Sequence, residues 1–364
     1  MRVAIVTTEQ ANNYGGTLQA FALQEVLRNL GHDPITIDYV LYCPGFKRYL
    51  LAQCKTGVYK LLGKRGRRFQ PYPTPIRRND KFDAFNKKHI KLSYPTLNYT
   101  QRCLKRIHPD AIIVGSDQVW RKQYDIRERV KDCFLRFAHG WNIPKIAYAA
   151  SFGIDYWDYP EDYTKECAFY AKDFNAISVR EESGIELCKR FLGVNAVQMP
   201  DPTLLLHRDA YLKIIGKNDN NEEPYLAAYI LDVDERSIRL LEDYADKLGL
   251  RLKIVMSEDS ASLGVEEWLK TIANASFVVT DSFHGTVFSI IFNKEFFSVS
   301  NESRGKARFE SLLNQFGLEN RIVSDVTSIP QVAEFINWND VNSKKNDLSN
   351  KGIQFLKDNL KETK

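Results

Sequence analysis

The stretch Phe277-Val278-Val279-Thr280-Asp281-Ser282-Phe283-His284-Gly285-Thr286-Val287-Phe288-Ser289-Ile290-Ile291-Phe292 decides the fold. Phe277 to Thr280 is a short apolar, β-branched run, the pattern of a strand buried on both faces. Asp281, Ser282 and Gly285 interrupt it, and Val287, Phe288, Ile290 and Ile291 then recur at helical spacing. The pattern predicts strand, tight polar turn and helix: one βα unit of an open α/β sheet, with His284 at the turn. Ligands of such sheets bind beyond the carboxyl ends of the strands, and free N–H groups at a helix start favour an anion. No cysteine or second histidine lies within a turn of His284. Acid–base or phosphate chemistry is therefore expected there, and no metal.

The same grammar recurs upstream. Arg2 to Thr7 reads as a buried strand, Asn12-Asn13-Tyr14-Gly15-Gly16-Thr17 as a turn, and Leu18, Phe21, Ala22, Leu23, Val26, Leu27 and Leu30 as one face of a helix closed by Gly31. Asn12 and Asn13 suit sugar hydroxyls. Gly15 and Gly16 either admit a ligand to the backbone or only shape the turn, and GxGxxG is absent. Asp110 to Val114 forms a further strand that runs into Gly115-Ser116-Asp117-Gln118-Val119-Trp120. Asp117, Gln118 and Trp120 suit a carbohydrate, polar groups for hydroxyls and an indole for a sugar face. The bland reading makes Trp120 core and Asp117 a helix cap. Strands at 145–150 and 176–179 follow, and Arg180 stands where the second ends. It is placed to grip a phosphate or carboxylate, or else to pair with Glu181 or Glu182. Met199-Pro200-Asp201-Pro202-Thr203 reads as a crossing between domains, after which strands are predicted at 225–231, 251–255, 277–280 and 296–299. Helices are predicted at about 235–248, 265–274, 284–293 and 348–361. Residues 300–309 read as a cationic loop with Arg304, Lys306 and Arg308.

Composition sets the outer bounds. With 364 residues, 44% of them hydrophobic and 27% charged, the chain suits two domains of ordinary size. No run is long and apolar enough to cross a membrane. Met1 to Val6 goes straight into a strand, so no signal peptide is expected. Six widely spaced cysteines, none in a CxxC pair, fit free thiols in a reducing cytoplasm. The net charge of +5 is unevenly spread: from Leu41 to Asn79 there is no acidic residue, and ten lysines and arginines alternate with aromatic side chains. This insertion reads as a contact with an anionic membrane surface or an anionic acceptor, or as a solvated loop. No nucleic-acid module accompanies it.

Four motifs, taken together, carry a resemblance: Asn13-Tyr14-Gly15-Gly16-Thr17-Leu18-Gln19-Ala20-Phe21-Ala22-Leu23-Gln24; Val114-Gly115-Ser116-Asp117-Gln118-Val119-Trp120; Asp201-Pro202-Thr203-Leu204-Leu205-Leu206; and Thr280-Asp281-Ser282-Phe283-His284-Gly285. In this order, over about residues 1–320, they resemble the polysaccharide pyruvyl transferase family. The resemblance implies two Rossmann-like domains facing a cleft, a glycosyltransferase-B-like α/β fold. Residues 1–200 would form the acceptor side with its basic insertion at 41–79, 201–340 the donor side, and 341–364 a terminal helix crossing back to the first domain. It implies transfer of a pyruvyl unit from phosphoenolpyruvate to two hydroxyls of a sugar, free or lipid-linked, as a cyclic ketal, with no other cofactor. The family's histidine matches His284, its donor-binding arginine Arg180, and its downstream cation Lys306, with Arg304 beside it; Ser282 and Gly285 fall in the donor loop. Asp117 or Asp281 would serve as base. Where many members have Arg-Leu before the histidine, this chain has Ser282-Phe283. Arg304, Lys306 or Arg308 would have to replace the missing cation. The rival readings are a nucleotide-sugar glycosyltransferase of the same fold and a non-catalytic carbohydrate-binding relative.

Overall fold

The computed structural model describes residues 1–9, 12–39, 53–54, 56, 79–96, 99–126, 128–216, 222–231, 234–255, 263–300, 305–330 and 334–361. Most of the basic insertion, Arg304 among the predicted donor residues, and the loop before it lie outside these.

Two parallel sheets organise the chain. The first, in the order β2-β1-β3-β4-β5-β6, comprises β1 (Arg2–Val6), β2 (Asp33–Thr36), β3 (Ala111–Val114), β4 (Lys145–Ala150), β5 (Ala176–Val179) and β6 (Val197–Gln198). The second, in the order β11-β10-β9-β7-β8, comprises β7 (Tyr225–Tyr229), β8 (Arg251–Ile254), β9 (Phe277–Thr280), β10 (Glu295–Val299) and β11 (Ile322–Val323). The central strands β1, β3, β4, β7 and β9 read as continuous apolar runs because helices cover both faces of each sheet. The short edge strands β6 and β11, two residues each, carry no such run and escape sequence reading.

The two lobes share one apolar core rather than standing apart. Tyr14, in the helix Tyr14–Asn29 of the first lobe, stacks on Trp268 of the helix Val265–Asn274 in the second at 5.1 Å between ring centroids. Phe82 lies 5.1 Å from Tyr14 on the same cluster. The Tyr14 hydroxyl donates to the Leu263 carbonyl at 2.8 Å, which satisfies the only polar atom of that side chain. Aromatic pairs of this kind add about 0.5–1.5 kcal/mol each beyond area burial. The seam is therefore dry and specific on this side.

Two connections cross between the lobes. One is Pro200–Leu206, whose 3-10 turn Pro202–Leu205 is capped by Asp201 and packs against the helix Tyr14–Asn29. The other is the terminal helix, Trp338–Asn359, which packs on that same turn. Lys344 near its start donates to the Phe316 carbonyl of the second lobe at 3.1 Å, and Phe355 near its end lies 6.0 Å from Tyr148 on β4 of the first. The helix thus crosses back as expected but begins ten residues before the predicted start. Its first half is polar because it presents mostly a solvent face; Val341 and Lys345 are buried there, and Trp338 and Leu348 pack partly on the core. A helix Lys306–Asn314 likewise replaces part of the expected cationic loop. Among the described residues, no helix is long and apolar enough to cross a membrane, and Cys54, Cys133, Cys167 and Cys188 are free thiols.

Lys345 is buried, donating to the Leu206 carbonyl at 3.0 Å, and burial pushes its ammonium down to about 8. Between about pH 8 and the ordinary lysine value near 10.4 the unfolded chain holds a proton that the folded chain has released, so this group makes stability rise with pH. Lys345→Met is expected to show a smaller rise in urea midpoint across that window than the parent. An identical pH slope in both proteins would refute the assignment.

Candidate functional site

The carboxyl ends of β1, β3, β4 and β5 in the first lobe and β9 and β10 in the second converge on one seam. The sequence builds this by placing polar residues immediately after each apolar run: Thr7 and Thr8, Ser116 and Asp117, Ser151, Arg180 and Glu181, and Asp281 to His284. The arrangement centres on Asp201, which comes from the crossing segment and is almost wholly buried. Its Oδ1 accepts from the Thr203 backbone N–H at 3.0 Å and from the Thr203 hydroxyl at 2.8 Å. Its Oδ2 accepts from Ser116 Oγ at 3.2 Å and Arg180 Nη1 at 3.2 Å, and lies 3.6 Å from His284 Nε2. Burial by itself would raise the Asp201 carboxyl, but the facing imidazole, Arg180 and the Thr203 N–H outweigh it and hold the group well below the usual carboxylate range. Asp201 is accordingly an anion at any working pH.

Arg180 is equally enclosed. Its Nε donates to Glu181 Oε1 at 3.2 Å and its Nη2 to Ser151 Oγ at 3.1 Å, while Asp117 Oδ1 stands 3.6 Å from Nη1. Burial opposes this charge, yet Glu181, Asp117 and Asp201 raise its affinity for the proton overall. The salt bridge to Glu181 weighed from sequence is present, and two further carboxylates join it. Arg180 thus spends its donors inside the protein, holding three acids in place.

His284 sits in the first turn of the helix Phe283–Ile291, which Ser282 caps by accepting from the Gly285 N–H at 3.4 Å. Its ring packs directly on Gly15 of the opposite lobe: a Cβ at Gly15 would overlap the imidazole around Nδ1. Nε2 is buried without a hydrogen-bond partner, close to the Asp201 carboxylate. Phe283, at the position where the sequence departs from the family pattern, lies near two guanidinium groups. Arg180 is 4.1 Å and Arg308 5.9 Å from its ring centroid. Such an aromatic face attracts cations through its quadrupole. Burial, and then the like charge of Arg180, push Arg308 down to about 10, so it remains a cation at neutral pH.

Other predicted residues fall into place around this centre. Asp117 is buried with φ +69°, a left-handed conformation rare outside glycine, and is held there by the Ser151 N–H on its carbonyl at 3.0 Å and the Thr8 hydroxyl on its Oδ2 at 3.4 Å. Gln118 lies against Gly153 at the seam. Asn13 is the helix cap, accepting from Gly16 N–H at 3.0 Å, and Asn12 accepts from the Asn79 N–H at 2.7 Å. Gly15 and Gly16 lie inside the first helical turn rather than in a loop.

Two expectations need correction, and two further residues carry structural contacts. Trp120 is fully buried, stacked on Phe134 at 4.7 Å with its indole N–H donated to the Cys133 carbonyl at 3.2 Å, so it has no face for a sugar. Lys306 is half-exposed and paired with Glu310 at 3.0 Å on the outer face of its helix, and Arg308 takes the inner face. Asp281 accepts the Leu231 N–H at 2.7 Å, which ties the ends of β9 and β7 together. Gly285 is required by close helix-to-strand packing, since a Cβ there would overlap the Thr280 side chain. Asp201, Glu181 and Ser151 were not singled out as site residues. For Asp201 a signal existed, an acid held between Pro200 and Pro202 inside a recognised motif.

The profile of the polysaccharide pyruvyl transferase family matches residues 13–303, which span all four motifs up to His284 and well over half of the chain. The chain belongs to the polysaccharide pyruvyl transferase family. It is thus a transferase of polysaccharide biosynthesis by family. No curated protein matches it in sequence. Among solved structures it is similar to a UDP-N-acetylglucosamine 2-epimerase from Rickettsia bellii at 10% identity, covering 99% of each chain with a TM-score of 0.46. It is also similar to UDP-GlcNAc 2-epimerase from Neisseria meningitidis bound to UDP-GlcNAc, at 9% identity over 99% of each chain with a TM-score of 0.49. The MnaA–UDP structure from S. aureus gives 12% identity over 96% of this chain and 90% of that one, with a TM-score of 0.49.

The contact of His284 with Gly15 yields a paired prediction for this family member. Gly15→Ala is expected to displace the imidazole and abolish most activity while leaving the fold intact. Gly16→Ala, whose nearest neighbour is the Thr8 hydroxyl at 3.4 Å, is expected to keep activity and gain up to about 1 kcal/mol from helix propensity. Equal activity in the two variants, each checked by thermal melting, would show that the close approach is unimportant.

Proposed function

We propose that the chain transfers a pyruvyl group from phosphoenolpyruvate to two hydroxyls of a sugar in a polysaccharide or its lipid-linked precursor, forming a cyclic ketal. The observation that supports this reading is the buried, partnerless Nε2 of His284, set beside an obligate carboxylate anion and within a shell that also holds Arg180 and Arg308. An imidazole can deliver a proton and take one up within a single turnover, which suits general acid–base work at this place.

In this reading the reaction runs in four moves. His284 delivers a proton to the methylene carbon of the donor, leaving an oxocarbenium-like centre at C2. One sugar hydroxyl adds to C2 and loses its proton to a base. Phosphate then departs with the C2–O bonding pair, regenerating the oxocarbenium centre. The second hydroxyl adds and loses its proton, so donor plus diol become ketal plus inorganic phosphate. Asp117 is the base of choice of the two weighed from sequence, because Asp281 is committed to the Leu231 N–H. Arg308 takes the role expected of Lys306, a cation for the donor's phosphate or carboxylate. It thereby answers for the arginine missing before His284. Arg180 acts as a positioning residue, fixing Asp201, Asp117 and Glu181, rather than as the donor's direct partner.

His284→Ala is expected to lower phosphoenolpyruvate-dependent phosphate release with a sugar acceptor by about 10²–10⁴-fold, the usual worth of general acid–base catalysis. Near-normal turnover would remove it from the mechanism. Phosphoenolpyruvate is expected to raise the melting temperature of the parent, and nucleotide sugars to leave it unchanged. The opposite pattern would instead favour a nucleotide-sugar glycosyltransferase.

The acid-free stretch 41–79 is assigned to contact with an anionic membrane surface, which would bring a lipid-linked acceptor to the seam. The protein is expected to float with anionic liposomes at low salt and to be released at high salt. Failure to float at low salt would refute the contact.

A further inference from the structure

A second concavity, of about 620 Å³, lies on the outer side of the helix Lys306–Asn314. Lys306, Glu310 and Asn314 are four residues apart and so share one face of that helix, lining the cavity. Arg308, two residues from both Lys306 and Glu310, falls on the opposite face, toward Phe283 and Arg180. One helix therefore separates this cavity from the His284 centre. The floor is formed where β10 and β11 end, by Ser300, Ile322 and Ser324, with Glu319 at the rim. Carboxyl ends of strands in open α/β sheets are where ligands bind.

Ser300 distinguishes the place from an ordinary polar hollow. It is only 4% exposed, and its backbone N–H continues the β10–β11 ladder to the Val323 carbonyl at 2.8 Å. Its hydroxyl, however, has no hydrogen-bond partner among the described residues. Leaving a buried hydroxyl unsatisfied costs about 1–3 kcal/mol, which a ligand hydroxyl would recover. The charges around it select the ligand class. The Lys306 ammonium is neutralised by Glu310 at 3.0 Å, and Glu319 adds a further negative charge, so the described lining disfavours phosphates and nucleotides. Among the described residues the lining thus offers two carboxylates, one amide, two hydroxyls and the paired ammonium over the aliphatic Ile322, which matches the alternating hydroxyl and C–H surface of a neutral sugar.

We propose that this cavity is a carbohydrate subsite for an uncharged sugar, separate from the reacting centre. It rests on the reading above only for the source of its ligand, an acceptor longer than one sugar whose remote unit docks here.

The test measures saturation-transfer NMR of the full-length protein with three neutral disaccharides, lactose, cellobiose and maltose, and with UDP as the anionic control. At least one disaccharide is expected to receive saturation in the parent and equally in His284→Ala, with UDP unable to displace it. Ser300→Val, which fills the floor, and Glu319→Leu, at the rim, are each expected to weaken that signal at least tenfold in titration while melting like the parent. No transfer to any disaccharide, transfer that survives both variants, or displacement by UDP overturns the proposal. Because His284→Ala serves as a binding-competent control, loss of pyruvyl transfer and loss of this subsite are read independently.

Discussion

A single buried carboxylate holds the site together. Asp201 belongs to neither sheet: it sits on the strand-to-turn crossing and binds Arg180 from β5 of the first lobe while facing His284 from the second. A charge taken so far out of water is tolerable only if its lone pairs are used, and here the Thr203 N–H and hydroxyl, Ser116 and Arg180 use them, with the His284 imidazole facing the same carboxylate. The same carboxylate caps the turn Pro202–Leu205, on which both the helix Tyr14–Asn29 and the terminal helix pack. The geometry of the reacting centre and the way the lobes are joined are thus two consequences of one residue's hydrogen bonds.

The lobes meet through close backbone contacts as much as through side chains. Gly15 admits the imidazole, and Gly305, at φ +78°, stands so near the Gly153 carbonyl that a Cβ there would overlap it. With Tyr14 stacked on Trp268, these contacts fix the separation of the two sheets. Phe283 adds the last element: its aromatic ring, near both Arg180 and Arg308, helps two like charges approach a common point. The departure from the family's Arg-Leu pattern therefore lies where the cations converge.

Much of this was legible beforehand, and the misreadings share a cause. Apolar runs and helical spacing located the central strands and the βα turn of His284, because burial on both faces leaves a one-dimensional trace. Trp120 and Lys306 were misread because residue type speaks to chemistry only when accessibility is known. An indole suits a sugar or a core equally, and of two cations two residues apart on a helix only one can face the site. Asp281 and Asp117 look alike as acids in the sequence, yet one meets the Leu231 N–H and the other stands beside Arg180. The short strands β6 and β11 were invisible since two residues carry no period.

The chain's linear pattern alone determined that this is a two-lobed α/β protein, with His284 at the carboxyl end of a strand and motifs of a pyruvyl transferase family. Those properties depend on local periodicity and on short contiguous motifs. Only the folded chain decided that Asp201 pairs with His284, that Arg180 is spent on three carboxylates, and that Arg308 rather than Lys306 enters the site. Asp201 stands 21 positions from Arg180 and 83 from His284, and the choice between the two cations depends on which face of a helix points inward. Such facts are set by packing and by the need to satisfy buried charge, and neither leaves a mark in sequence order.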